Sequence, residues 1–280
     1  MTHAAWTSRD ERLPPAAIDL MLAEVRERHG VDFRAYRRAT VERRIRNAMI
    51  AARVDDPAAY VVRLRADPAE AAHLLERLTV KVSRVWRDAP SIAALQRALR
   101  ELRRATPHPL RAWSAGCARG EEAYSLAIVL AEEGIPTPAA PDVLGTDVDL
   151  AALAAAAFGA YPPEALEELP VALRHRHLER TGDPRLPFRM AGSLRARVAF
   201  ERRDLAAAPP RGSFDLVACR NTLIYFEAAL QREVVAHLVA ALRRGGLLWL
   251  GEAEWIPPEA AGELEVVDWR ARLFRRRSAS

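Results

Sequence analysis

Residues 113–122, Trp-Ser-Ala-Gly-Cys-Ala-Arg-Gly-Glu-Glu, place two glycines and two carboxylates between an apolar run and an amphipathic one. Gly116 and Gly120 let backbone approach a ligand, and a helix opening at Glu121 offers unpaired N–H groups. The spacing is not the Gly-x-Gly-x-x-Gly of dinucleotide folds. Nor is it a phosphate loop, because no Lys and Ser/Thr follow Gly120 in the required order. Two acids here would repel a phosphate and suit a ligand carrying an ammonium group. Charge complementation of a helix start explains Glu121 and Glu122 equally well when they are taken alone. The next apolar run ends in Gly145-Thr-Asp147-Val-Asp149, an acid where a ribose diol would lie. Another ends at Asp204-Leu205, with a side chain able to bond an adenine amine. A further one ends in Cys219-Arg-Asn221-Thr222, followed by the aromatic pair Tyr225-Phe226. Acid on a ribose, acid near an amine and no phosphate cradle converge on S-adenosyl-L-methionine as cofactor, with S-adenosyl-L-homocysteine as product.

Such residues meet only if the runs that carry them are parallel strands ending at one edge of a sheet. Strand expectations fall at 110–114, 142–146, 198–201, 216–219 and 247–251, with helices at 121–133, 150–157 and 228–243 between them. That alternation predicts a doubly wound parallel sheet, and 264–269 with 272–276 predict a terminal hairpin at its edge. Residues 158–197 break the rhythm and read as an insertion forming a small subdomain. The first third is helical by periodicity: 15–29, 32–52, 57–66, 68–78 and 90–105, four of them opened by proline. The face of 32–52 opposite Phe33, Tyr36, Val41, Ile45 and Met49 carries Arg34, Arg37, Arg38, Arg43, Arg44 and Arg46 against Glu42 alone.

The chain has 280 residues, half of them apolar, so disorder is excluded. Its 42 basic and 37 acidic side chains leave a net charge of only +5, a local surface rather than a nucleic-acid footprint. Lys81 is the only lysine. Two cysteines, Cys117 and Cys219, are too few for a disulfide scaffold, and no apolar run reaches the roughly 18 residues of a membrane span. These features read as a cytoplasmic protein without membrane insertion. Of the histidines only His175 and His177 are close in sequence, and no partner ligands at metal spacing accompany them.

The residues now carry a resemblance. The chain resembles the chemotaxis protein methyltransferase family, whose signature runs roughly Trp-Ser-Ala-Gly-Cys-Ser-Thr-Gly-Glu-Glu-Pro-Tyr-Ser. Residues 113–125 match it with departures at Ala118, Arg119 and Ala123. The family's Cys-Arg-Asn-Val-Leu-Ile-Tyr-Phe is present at 219–226 with Thr222 as its one change. Gly245, Gly246, Leu248, Gly251 and Glu254 match a third motif. A fourth, about Leu-Thr-x-Asn-x-Thr-x-Phe-Phe-Arg-Asp, reads Leu78-Thr-Val-Lys81-Val-Ser83-Arg84-Val85-Trp86-Arg87-Asp88. Arg87 is retained and Ser83 keeps a hydroxyl, but Lys81 replaces an amide.

The resemblance implies an all-α N-terminal domain at 12–90. It also implies a class I methyltransferase domain at 91–280, with a seven-stranded doubly wound sheet and a small β subdomain inserted at about 158–197. It implies that Lys81, Ser83, Arg87, Gly116, Glu122, Asp147, Asp204, Leu205, Asn221 and Thr222 hold the cofactor, with Arg87 and Tyr225 near the transferring methyl. The activity implied is methylation of glutamate side chains on a chemoreceptor-like signalling protein with acidic methylation helices, by a monomer that binds no nucleic acid and no metal. A glutamate has an unperturbed pKa of about 4.3, so the acceptor is already ionised and no general base is required. Two other readings stay open: a cofactor-binding regulatory module without turnover, and a methyltransferase with a small-molecule or other protein acceptor.

Overall fold

The computed structural model describes residues 12–79, 83–135, 141–210 and 213–278. They form two compact units. One holds the described residues up to 79 together with Tyr225–Leu230; the other holds the described residues of Lys81–Ile224 and Gln231–Ser280.

The first unit is built of α1 (Pro15–His29), α2 (Arg38–Ala52), α3 (Pro57–Ala66) and α4 (Pro68–Leu78). Prolines occupy the first turns of α1, α3 and α4, where a missing N–H costs nothing. Asp56 caps α3 through the Ala58 and Ala59 N–H groups, and Asp67 caps α4 through that of Ala69. Ile18, Met21, Leu22 and Val25 of α1 and Val41, Ile45, Ala48 and Met49 of α2 are buried at helical spacing. The expected helix at 32–52 starts only at Arg38. Residues 32–37 form a turn instead, in which the Asp32 carboxylate captures Arg34 and is thereby held at a pKa of about 2. Tyr36 packs its ring 4.7 Å from both Phe33 and Phe226 and bridges Phe226 through the backbone.

The arginine face of α2 is largely occupied within the unit. Arg38 reaches Asp19 and the Pro15 carbonyl, and Arg46 pairs with Glu42. Arg44 donates to the carbonyls of Arg77, Leu78 and Thr79, closing the end of α4, and lies over the Tyr225 ring at 5.6 Å. Arg37 and Arg43 have guanidinium groups without an intramolecular hydrogen bond or ion pair among the described residues.

The second unit begins with α5 (Ala89–Ala105), capped by Asp88. There follow β1 (Ala112–Ala115), α6 (Glu121–Glu132), β2 (Val143–Asp147) and α7 (Leu150–Phe158). The insertion holds β3 (Ala160–Tyr161), α8 (Val171–His177), β4 (Leu178–Arg180), β5 (Phe188–Met190) and α9 (Gly192–Arg195). After it come β6 (Val198–Arg202), β7 (Phe214–Cys219), α10 (Ala228–Ala241), β8 (Leu242–Leu250), α11 (Pro258–Ala261), β9 (Leu264–Asp268) and β10 (Leu273–Arg276). The main sheet has seven strands in the order β6-β2-β1-β7-β8-β10-β9, with β10 antiparallel to both of its neighbours. This is the doubly wound sheet with a terminal hairpin expected from the alternation. The insertion forms a separate three-stranded sheet, β3-β5-β4.

The apolar core lies between the main sheet and its helices, with Leu126, Ile128 and Leu130 of α6, Leu95 and Leu99 of α5, and Trp249 of β8 almost wholly buried. Strand β8 begins five residues earlier than its apolar run suggests, because Gly245 (φ 81) absorbs a register shift and lets Leu242 pair with Phe214. At the opposite margin Arg197 and Asp142 form a buried pair, 7% and 0% exposed, which ties the starts of β2 and β6 together.

The insertion is rooted in the main fold. The Val85 N–H donates to the Ala165 carbonyl at 2.8 Å, the Asp88 N–H to Glu168 Oε2 at 2.9 Å, and the Tyr161 hydroxyl to the Arg119 carbonyl at 2.6 Å. Among the described residues, no helix is long and apolar enough to cross a membrane.

Candidate active site

In the parallel part of the sheet the chain runs outward from β1 through β2 to β6, then returns to β7 on the other side of β1. The order therefore reverses between β1 and β7, where open α/β sheets bind their ligands. Gly116 leaves β1 with φ 80, and a Cβ on it would meet Thr222 Oγ1 at 2.8 Å. The turns after β1 and β7 thus touch at that crevice, and only a residue without a side chain fits. Gly120, at φ 89, is equally confined: its Cβ would lie 2.9 Å from the Cβ of Ala156.

The turn after β1 is fastened to the end of β2. The N–H groups of Gly116 and Cys117 both donate to the Thr146 carbonyl, and Trp113 Nε1 donates to Thr146 Oγ1 at 2.9 Å. The Ala118 N–H donates to Asp147 Oδ2 at 2.9 Å, and the Asp149 N–H to Asp147 Oδ1 at 3.0 Å. Each carboxylate oxygen keeps a second lone pair, so Asp147 can still accept from a diol. Burial raises its pKa, opposed by those backbone donors.

Glu122, on the first turn of α6, accepts from Ser114 Oγ at 2.7 Å. Burial pushes it up to about 7, while Arg220 and Ser114 pull the other way. Glu121 is also pushed up to about 7 by burial, and its Oε2 has no hydrogen-bond partner among the described residues. Cys117 and Cys219 are buried free thiols whose pKa values burial raises.

Arg220 belongs to the Cys-Arg-Asn strand end already noted, but spacing alone assigns it no role at the site. Its guanidinium lies 4.1 Å over the Trp249 ring and donates to the Arg87 carbonyl and to Asp88 Oδ2, both at 3.1 Å. This clamps the segment Val85–Asp88, in which Trp86 and Asp88 take positive φ values of 67 and 66. The Arg87 side chain itself is exposed, and Ser83 is half-buried. Lys81 lies outside the described residues. Asp204 follows the end of β6 and accepts the Ala206 N–H at 2.9 Å, with Leu205 buried beside it. Asn221 (φ 59) and Thr222 follow β7. Tyr225 belongs to the first unit, where its carbonyl accepts the Arg37 N–H at 2.8 Å. The structure therefore gathers Gly116, Glu122, Asp147, Asn221 and Thr222 around the switch point and sets Asp204 and Leu205 at the neighbouring strand end. Ser114 and Arg220 join them, and only the pairing of Ser114 with Glu122 in space reveals the former.

The donor set fits S-adenosylmethionine. Buried acids balanced, among the described residues of the site, by the buried Arg220 side chain suit a cationic ligand; Asp147 retains capacity for a ribose diol, and the Gly116 crevice admits no side chain.

Comparison with known proteins agrees. The family described as CheR methyltransferase, SAM binding domain, matches residues 81–272, and CheR methyltransferase, all-alpha domain, matches residues 16–79. A chemotaxis protein methyltransferase of Listeria monocytogenes is 32% identical over 228 residues, 81% of this chain and 85% of that protein. Chemotaxis protein methyltransferase 2 of Pseudomonas aeruginosa is 32% identical over 241 residues, 82% of this chain and 85% of that protein. An uncharacterised 104.1 kDa protein of Rhodobacter capsulatus is 31% identical over 94% of this chain, which spans only 28% of that longer protein. With an all-α segment followed by a cofactor-binding segment, and relatives matched over most of their own length, the chain belongs to the CheR methyltransferase family of S-adenosylmethionine-dependent enzymes.

Proposed function

We propose that the enzyme forms glutamyl methyl esters on the acidic helices of a chemoreceptor-like signalling protein, acting as a cytoplasmic monomer. The observation that carries this reading is the pair of acids, Glu122 and Asp147, held on adjoining turns at the switch point of a chain whose relatives are named chemotaxis methyltransferases. In this reading residues 12–90 are a helical N-terminal domain and residues 91–280 the methyltransferase domain, with its insertion at about 158–197. Arg37, just before α2, and Arg43, within it, both without an ion pair among the described residues, would attract an acidic partner.

When bound, the cofactor supplies an electrophilic methyl on a sulfonium that leaves as a neutral thioether. The protein's part is alignment. Glu122 holds the amine end, Asp147 the ribose, and Asp204 with Leu205 the adenine. Lys81 and Ser83, with Asn221 and Thr222, complete the contacts. Arg87, exposed on its clamped turn, steers the acceptor carboxylate and Tyr225 braces the methyl. Alignment of this kind lowers a barrier by up to roughly 7–11 kcal/mol. Arg87→Ala and Tyr225→Phe are each expected to slow methyl transfer by about tenfold or more with little change in thermal stability; transfer at the wild-type rate in a radiolabel assay removes the role. The acceptor itself is tested by incubating the enzyme with labelled donor and receptor cytoplasmic domains. Ester chemistry gives label released as methanol by mild alkali, and alkali-stable label overturns it.

The raised acids also give cofactor binding a pH dependence. For Glu121 and Glu122 burial pushes the folded pKa up to about 7, above the ordinary value of 4.5. The neutral acid is thus favoured in the fold, a stability contribution present below about 4.5 and lost as pH rises through about 7. A cationic ligand favours the carboxylate instead. Binding of S-adenosylhomocysteine is therefore expected to tighten as pH rises from 6 to 8 and to release protons near pH 6.5. Calorimetry in buffers of different ionisation enthalpy measures this directly, and proton-neutral binding across that range contradicts it.

A further inference from the structure

The carboxylate of Glu254, just beyond the end of β8 and 2% exposed, accepts four backbone N–H groups. Thr222 and Leu223 donate to Oε1 at 2.8 and 2.7 Å, and Asn221 and Gly251 to Oε2 at 3.0 and 2.7 Å. Three of these donors are consecutive residues of the turn leaving β7. Asn221, the first of them, sits in the left-handed region that disfavours a side chain. Successive N–H groups converging on one point make an anion-binding concavity, and here the anion is internal. Gly251 completes the arrangement, since a Cβ there would stand 2.9 Å from both the Asn221 nitrogen and Glu254 Oε2. The side chain has no other partner among the described residues. Burial raises its pKa and the four donors lower it.

We propose that Glu254 is a positioning residue: its anion sets residues 221–223 in the shape that receives the cofactor, without itself touching the cofactor. This rests on the assignment of Asn221 and Thr222 to cofactor binding. The negative charge matters because an amide of the same shape offers one accepting oxygen. Its NH2 group would face two N–H donors, leaving half of the turn unfastened. The four donors oppose the burial of this charge, and Arg220, on the same turn, attracts it and Glu122 alike.

The test uses the full chain carrying Glu254→Gln, with Glu254→Ala as the stronger variant if it folds. Two readouts are taken: hydrogen exchange of peptides spanning 219–226 in the ligand-free protein, and S-adenosylhomocysteine affinity by calorimetry. The expected result is faster exchange confined to that turn, with affinity weakened about tenfold or more. Unchanged exchange at the turn overturns the proposal. Exchange rising throughout the sheet also overturns it, making Glu254 a general fold residue. Faster exchange at the turn with unchanged affinity overturns it too, and faults the assignment of Asn221 and Thr222. None of these outcomes depends on the acceptor, so failure of the receptor reading stays separate.

Discussion

Asp147→Ala is expected to weaken S-adenosylhomocysteine binding by about 100-fold or more, as measured by calorimetry. Two losses combine. Hydrogen bonds to a charged group contribute about 1.5–3 kcal/mol each, and in the proposed role the carboxylate would accept two from a ribose diol. Every 1.4 kcal/mol is about tenfold in affinity. The same carboxylate also anchors the Ala118 N–H in a turn where Ala118 itself takes a positive φ of 49, so its removal frees the loop that leaves β1. Asp147→Asn keeps one accepting oxygen and should fall between the two, at roughly tenfold. Affinity within threefold of wild type in the alanine variant would remove Asp147 from the cofactor site.

Arg197→Ala should destabilise the protein by about 3–5 kcal/mol, because it strands a carboxylate that is 0% exposed. Arg197 donates from Nε and Nη2 to Asp142 and from Nη2 to the Ile135 carbonyl at 3.2 Å, while its own carbonyl accepts the Val143 N–H. The loss therefore loosens the starts of β2 and β6, the strands that end in Asp147 and near Asp204. Urea denaturation gives the value. A paired change to apolar residues, Arg197→Met with Asp142→Leu, should recover most of it, since the desolvation cost of both charges disappears together. A single variant within 1 kcal/mol of wild type would show that the pair is solvated in solution.

What the sequence made legible follows from how local each signal is. Helices α1, α3 and α4 begin where Pro15, Pro57 and Pro68 place them, the last two with Asp56 and Asp67 as caps, because those determinants lie within one turn. The start of α2 was not readable: Tyr36 fits the helical register by type, but its ring is claimed by Phe226, far along the chain. The acids at strand ends were readable because few other chemistries call for carboxylates there. Ser114 and Arg220 stand within matched motifs, but their roles were not readable until Glu122 and Asp88 lay beside them in space. Glu254 could be matched to a motif, yet its partners are backbone groups, which one-dimensional spacing cannot name. The arginine face of α2 shows the same limit. A helical wheel gives the direction of Arg38 and Arg44, not the Asp19 carboxylate and the α4 carbonyls that occupy them.

The rooting of the insertion bears on how such enzymes can be recombined. Its first stretch, residues 160–169, supplies the hydroxyl that holds the Arg119 carbonyl and the acceptors that hold Val85 and Asp88, so it is part of the frame around Arg87. Residues 170–187, between that root and β5, make none of these contacts. A chimera exchanging the whole of 158–197 with a relative would thus alter catalysis together with whatever the subdomain recognises. A graft confined to 170–187 would leave that frame intact, provided it kept the contacts of Arg176 and His177 with Glu132 of α6 and the pairing of β4 with β5. The insertion is thus tied to the main fold on both sides of residue 170, by its first stretch around Arg87 and by Arg176 and His177 on α6.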